Sequence, residues 1–380
     1  MQLVLSEDQE LLAKTAADFA SERSPLARTR ALRDASDPVG FSRPLWKEMA
    51  ELGWVGIPFP EAYGGAGMGF SELAVVLEAL GRVLAPEPFL SSVVLGGQAL
   101  LRAGSETQKK EWLPRLVAGD ALLALAHQEK GSRYDLQRVD TRARREGDGY
   151  VLSGEKIAVL DGSAADAFVV AARTAGGAAD AAGISLFLVP ARTQGVRIER
   201  QWRVDSRNAA IVRFDNARVP PGALLGSEGE GLATLEQVVD LATAALCAEM
   251  LGSMSEAFAR TIHYLKNRIQ FGVPIGSFQG LKHRAAWMFT EIELCRSAVM
   301  GAVRALDAGD ADATKLVSLA KAKCSETAIL VGNEAIQMHG GIGMTDEHEI
   351  GFFLKRARVA ELTFGDAAWH RARWARLCGY

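Results

Sequence analysis

The segment YLKNRIQFGVPIGSFQGLKHR places Tyr264, Arg268, Phe271, Gly272, Pro274, Ile275, Phe278 and Gln279 between the end of one helical pattern and the start of the next. An arginine at a helix end beside a glycine-bearing turn offers several fixed donors, a set that suits a diphosphate. The plainer reading is a helix-turn-helix link in which Pro274 and Gly276 set the turn, Phe271 and Phe278 are core, and Arg268 is solvated. That reading explains the glycines and the proline but not the whole constellation. In QMHGGIGMTDEHEIGFFLKRAR, Gln337, His339, Gly340 and Gly341 fall at a helix end, where the plainer reading is a glycine cap.

Other chemistries lack their residues. The cysteines at 247, 295, 324 and 378 form no CxxC, and the six histidines form no HExxH, so no metal site is expected; the first three cysteines sit in apolar helical patterns and read as buried reduced thiols. GSEGEG and YGGAGMG look like glycine phosphate loops, but neither follows a strand in a βαβ unit, which disfavours a nicotinamide-binding fold.

These residues must be positioned by elements of two textures. From Ser6 to about Gly119 the apolar period is helical, with a capping box at Ser6 and Gln9 and a further helix over Ser71 to Leu84. Between Ala121 and about Ala223 come short β-rich pieces with no interleaved long helix, which predicts a small barrel or sandwich. After the breaker-rich GSEGEG, three long helices are expected: from about Leu232 toward Tyr264, Phe278 to Ala308, and Ala311 to His339, the last with Leu316, Leu319, Ala320, Cys324, Ala328 and Val331 inward. Helices this long need partners, so a bundle with subunit contacts follows.

Helix, β-block and helix in that order, with the arginine three residues before Phe-Gly, then Pro-Ile, Phe-Gln and the Gln-x-His-Gly-Gly run, resembles the acyl-CoA dehydrogenase family of flavoproteins across essentially the whole chain, and within it the pimeloyl-CoA dehydrogenase small-subunit type. The resemblance implies an α+β fold: an N-terminal helical domain (1–120), a middle β-barrel domain (121–227) and a C-terminal four-helix bundle domain (228–380). It also implies FAD at a subunit interface, α,β-desaturation of an acyl-CoA thioester, an electron-transfer acceptor, and a homo- or hetero-oligomer, dimer or tetramer. On this likeness Arg268, Phe271, Gln279, Gln337, Gly340 and Gly341 hold the adenosine and pyrophosphate part of FAD.

The flavin-ring positions depart from the family pattern. Where the family reads A-L-T-E-P-x-x-G-S-D, this chain keeps Glu129 and Asp135 but has Gln128 at the Thr and Tyr134 at the Ser position. Where it reads G-x-K-x-W-I-T-N, Gly154 and Lys156 match while Ala158 and Leu160 replace Trp and Thr. Gln128 can still hydrogen-bond a pyrimidine edge; Leu160 has no hydroxyl for flavin N5. The catalytic glutamate of the C-terminal turn is Phe364 in ELTFGDAAWHR, and the alternative position on the first bundle helix falls near Ala242. Asp366 or Glu361 could serve as base only if that turn is re-aimed; otherwise Asp366 caps the helix beginning near Ala367. Two alternatives to an independent dehydrogenase therefore stand: a degenerate subunit that completes a partner's FAD site, and a flavin oxidase using Asp366.

Composition agrees with a globular enzyme. The 380 residues are 48% apolar and 23% charged, with formal charge -3 and no basic block, which excludes disorder and argues against nucleic acid as a partner. No apolar run approaches the roughly 20 residues of a membrane span, so no membrane insertion is expected and the location is read as cytoplasmic.

Overall fold

The computed structural model describes residues 4–380. The elements run α1 (Glu7–Arg23), α2 (Leu26–Asp34), α3 (Arg43–Glu51), α4 (Phe70–Arg82), a π-helical segment Phe89–Gly97, α5 (Gln98–Ala103) and α6 (Glu106–Val117). Then come β1 (Leu123–Ala126), β2 (Arg142–Glu146), β3 (Gly149–Leu160), β4 (Ala167–Arg173), β5 (Ile184–Pro190), β6 (Val196–Gln201), β7 (Ala209–Val219) and β8 (Leu224–Leu225). The chain closes with α7 (Gly231–Asn267), β9 (Ile269–Gln270), β10 (Val273–Pro274), α8 (Gln279–Asp307), α9 (Ala313–His339), α10 (Ile350–Leu362) and α11 (Ala367–Leu377). They group into two compact units, one of Met1–Ala31, Gly69–Ala85 and Thr243–Tyr380, the other of Leu32–Met68 and Pro86–Ala242.

In the second unit eight strands form one mixed sheet in the order β6-β7-β3-β2-β4-β5-β8, with β1 pairing β4 in parallel. The pairing runs from β6 to β8 with no closing pair among the described residues, so the sheet is mixed and the expected barrel is not shown. Its inner face is the core of this unit: Leu152, Phe168, Val170, Phe187, Val189, Val212 and Phe214 pack together, with Tyr150 edge-on to Phe187 at 4.9 Å. β3 is bent by two register shifts against β7, between Leu152 and Gly154 and between Lys156 and Val159, and Ala158 sits at φ 52 at the second.

The other unit is helical. The expected capping box is present, Ser6 Oγ accepting from the Gln9 N–H at 3.2 Å and Gln9 Oε1 from the Ser6 N–H at 3.1 Å. α9 is central, packed by α8, α10 and α11, and Cys247, Cys295 and Cys324 are buried free thiols. Leu319, expected inward, is instead exposed on α9, because the neighbouring Val317, Ser318 and Ala320 take the packed face. α7 is long and apolar enough to cross a membrane by composition, contrary to the sequence reading, but 94% of its apolar window is buried in the fold.

α4 crosses α7 at two glycines. A Cβ on Gly81 would meet the Glu249 carbonyl oxygen at 2.2 Å, and one on Gly252 the Glu78 carbonyl oxygen at 1.9 Å, so only glycine lets the two backbones approach this closely. The crossing is flanked by ion pairs from Arg296 to Glu78 (2.6 Å) and Arg82 to Glu256 (3.0 Å), and by the buried two-point pair of Arg356 with Glu249 (2.8 and 3.1 Å). Gly252→Ala should separate the helices and destabilise the fold by about 1–3 kcal/mol, the usual cost of overpacking, read as a lower unfolding midpoint in denaturant. A midpoint equal to that of the parent would contradict the crossing.

Candidate cofactor and active site

The ends of α7 and α9 are joined by stacked rings. Tyr264 lies over His339 at 4.5 Å and 27°, and His348 approaches His339 at 4.7 Å. Burial holds both imidazoles below their ordinary range. Arg268 follows Tyr264 by one helical turn, and Gln337 and Gly340 flank His339, so the stack draws the two motif-bearing stretches to one place. Arg268 ends α7: its N–H donates to the Tyr264 carbonyl at 2.8 Å, and its own carbonyl accepts from the Ile275 N–H at 2.8 Å, closing the β9–β10 hairpin.

The side chains here are presented rather than packed. Arg268, Gln279 and Gln337 are exposed, and among the described residues no protein group engages their side chains. Gly340 has φ 65, which favours glycine, and nothing lies within 4 Å of a Cβ built at Gly340 or Gly341, so the backbone there is open to close approach. Phe271, at φ 55, is 91% exposed, and Phe278 is 41% exposed, edge-on to it at 6.0 Å; neither is core, contrary to the plainer sequence reading. Three free donor side chains, an open glycine turn and an uncovered aromatic are a donor set that fits the diphosphate and adenosine of a dinucleotide.

Gln128 and Leu160, expected at the flavin ring, lie in the other unit. The Gln128 carbonyl accepts from the Ile157 N–H at 2.9 Å, tying the end of β1 to the strand that carries Leu160. Beneath it Glu129 and Lys156 form a buried ion pair at 2.6 Å, and the Glu129 carboxylate also accepts from the Asp140 and Thr141 N–H groups at 2.6 and 2.9 Å. Burial pushes the Lys156 ammonium down to about 8 against the pull of Glu129. Burial raises Glu129, but the Lys156 charge and the hydrogen bonds outweigh it and hold the carboxyl below its usual range. Gln128 and Leu160 are both partly exposed. Arg133, at φ 47, stacks its guanidinium on Tyr134 at 5.1 Å.

The C-terminal turn is held from several sides. Asp366 caps α11, accepting from the Trp369 N–H at 2.8 Å. Phe364 sits at φ 62, and its carbonyl lies 3.2 Å from His370 Nε2. Lys321, fully buried on α9, donates to the Gly365 carbonyl at 2.7 Å, the Glu361 carbonyl at 2.9 Å and Ser325 Oγ at 2.9 Å. Glu361 pairs with Arg358 at 2.6 Å, and Ala242 is fully buried. No carboxylate therefore occupies the position of Phe364 or of Ala242.

The chain matches the N-terminal, middle and C-terminal domains of acyl-CoA dehydrogenase over residues 6–120, 124–217 and 229–378. It belongs to the acyl-CoA dehydrogenase family. An acyl-CoA dehydrogenase of Bacillus subtilis is 32% identical over 370 residues, 95% of each chain. Among solved structures, butyryl-CoA dehydrogenase from Megasphaera elsdenii superposes with a TM-score of 0.91 at 25% identity over the whole of both chains. The ChsE4–ChsE5 complex from Mycobacterium tuberculosis superposes at 0.89 and 28% identity over 100% of this chain and 99% of that one. As a member of this family the protein is a flavoprotein oxidoreductase acting on CH–CH donors, with FAD as cofactor and acyl-CoA as the substrate class.

Sequence reasoning missed the stack of Tyr264 on His339, the Lys321 contacts and the perturbed imidazoles of His127 and His370. Burial, with a contribution from Lys156, pushes His127 down to about 4, and burial with nearby Lys321 and Arg373 pushes His370 down to about 3. Nothing in the local pattern marks a histidine as buried, although His370 one turn after a capping aspartate is a usable hint. Because both folded values lie below the ordinary 6.5, the unfolded chain binds more protons between about 6.5 and 3, so these groups contribute stability that is lost as pH falls through that window. The unfolding midpoint should drop on acidification from pH 7 to 4.5, and by less in His370→Gln than in the parent. An equal drop in both would show that His370 is not held neutral.

Proposed function

We propose that this acyl-CoA dehydrogenase holds the FAD diphosphate with Arg268, Gln279 and Gln337 and the open backbone of Gly340 and Gly341, and packs Phe271 on the adenosine, with Gln128 and Leu160 at the ring. The observation that carries the assignment is the convergence of free donors and an open glycine turn at the stacked ends of α7 and α9. Division into domains over 1–120, 121–227 and 228–380 is part of the proposal, supported by the separate domain matches. So is closure of the middle sheet into a barrel, supported by the register shifts that bend β3, and so is a cytoplasmic location. Arg268→Ala removes charge-assisted hydrogen bonds worth roughly 1.5–3 kcal/mol each, so the flavin content of the purified protein should fall at least about tenfold. Unchanged flavin content would sink the assignment.

Oligomerisation is the second part. Trp287, Phe289 and Leu294 on α8, with Ile269 and Phe271 on the adjoining hairpin, are large apolar side chains left exposed, more than a lone chain usually leaves uncovered. The smallest species in solution should be a dimer, with itself or with a related chain. A stable monomer at micromolar concentration by light scattering would contradict this.

FAD in this site accepts the β-hydride of the acyl thioester when bound. The protein must then orient the thioester and keep water out, and the α-proton must be taken by a carboxylate at the reacting carbon. The Asp366 carboxylate is committed to the Trp369 N–H as a helix cap, and the residue at the turn is Phe364. We therefore favour the reading in which a partner chain supplies the base, as in a pimeloyl-CoA-type heteromer; the likeness to one chain of a two-protein complex supports it. General-base catalysis contributes typically 10²- to 10⁴-fold, so the isolated chain should bleach its flavin with acyl-CoAs more slowly by about that much than the assembled pair. Asparagine caps helices as well as aspartate, so Asp366→Asn tests the base without unfolding α11. Fast anaerobic bleaching by the isolated parent chain, abolished in Asp366→Asn, would instead make Asp366 the base.

A further inference from the structure

Lys321 is a buried cation with no carboxylate in hydrogen-bond contact among the described residues, and all three of its donors are spent on one short stretch and its support. It donates to Gly365 O (2.7 Å), Glu361 O (2.9 Å) and Ser325 Oγ (2.9 Å), where Ser325 lies one turn along its own helix. The two carbonyls bracket Phe364, whose own carbonyl lies 3.2 Å from His370 Nε2 and whose φ of 62 is a strained backbone for an aromatic residue. At Gly365, φ 124, a Cβ would meet the rings of Trp369 and His370 at 2.6–2.9 Å, so the turn has no room to relax toward α11. The carbonyls of Glu361, Phe364 and Gly365 thus all have partners.

We propose that Lys321 is a positioning residue for the acyl-CoA reaction: by gripping the carbonyls on both sides of Phe364 it fixes the turn that faces the reacting carbon, and so fixes whatever the side chain at 364 presents there. The inference rests on the reading of the 363–366 turn as the substrate-facing one. The ammonium's hydrogen bonds are charge-assisted and about twice as strong as those of a neutral amine, so the grip weakens when Lys321 gives up its proton. Burial puts that event at about 8, the nearby groups Cys247 on α7, Cys324 on α9, Glu361 on α10 and Asp366 at the start of α11 pulling the other way; His370 and Arg373 lie on the same side of α11.

The test follows hydrogen exchange in the flavin-loaded assembly, comparing the peptide over 361–370 with a control peptide from β4 and β5, from pH 7 to 9.5 and corrected for the intrinsic rate. Protection of 361–370 should fall by about three- to tenfold as pH rises through 8, the size of losing the charge assistance of these hydrogen bonds, while the control stays level. In Lys321→Met the peptide should be exposed at every pH, and the pH step in the rate of flavin bleaching by acyl-CoA should vanish. Because Lys321→Met leaves two carbonyls buried without donors and can fail to fold, the exchange profile of the parent protein decides the grip by itself. A level profile in the parent overturns the proposal, as does normal protection in Lys321→Met. Lost protection with an unchanged bleaching rate also overturns it, since the turn would then be held for stability alone. If no acyl-CoA bleaches the parent assembly, the functional reading of the turn fails, while the exchange data still decide the grip.

Discussion

The helical half of this molecule depends on how closely two backbones can approach. α7 is 37 residues long, and α4 reaches it through the Gly81 and Gly252 contact, where a single methyl group on either side would strike a carbonyl oxygen. At that distance the backbones at the contact lose access to water, and the carboxylates around the crossing, from half-buried to buried, find partners in protein. Glu78, Glu249 and Glu256 do so with Arg296, Arg356 and Arg82. The arginine forks are suited to this, since a planar guanidinium satisfies a carboxylate at two points. α10 is attached through the same network, because Arg356 belongs to it. The crossing thus fixes α7, and with it the far end of α7, where Tyr264 stacks on His339 and Arg268 emerges.

The same rule governs the sheet. Glu129 and Lys156 are both buried, and removing two charges from water costs several kcal/mol per ion unless every remaining hydrogen-bonding position is filled. Here the carboxylate takes the ammonium and two backbone N–H groups, so the strand end bearing Gln128 and the bend bearing Ala158 and Leu160 are held in one frame. A second buried cation, Arg173, does the same for the loops beyond β4, donating to the carbonyls of Val139, Gln137, Ala182 and Asp180. In both cases a charge organises irregular backbone that no ladder can reach.

Much of this was legible beforehand, for identifiable reasons. Helices of 27 to 37 residues repeat their period often enough to be read, and α9 and the capping box at Ser6 fall where the pattern puts them. The helix-end arginine and the paired glycines were legible because they are local signals. The nine-residue π-helical segment was not, since Phe89–Gly97 is buried throughout and carries no polar face to reveal a period. Nor was the mixed sheet: the parallel pairing of β1 with β4 joins strands more than 40 residues apart, a separation that alternation cannot encode. The plainer reading put Phe271 in the core because aromatic residues usually are, and its exposure follows from its place at the tip of a two-residue-strand hairpin.

The turn at 363–366 is where composition and geometry part. The side chain expected to carry chemistry is an aromatic ring, yet the backbone that would present it is held more tightly than any neighbouring segment requires. Burying the Lys321 ammonium carries a desolvation cost of several kcal/mol, offset through three charge-assisted hydrogen bonds, and the left-handed φ of Phe364 adds about 1–3 kcal/mol of strain. A surface turn that only linked α10 to α11 would need neither, since the Asp366 cap already starts α11. The expense falls on the backbone position and not on the residue standing there, which is what the proposed positioning role of Lys321 requires.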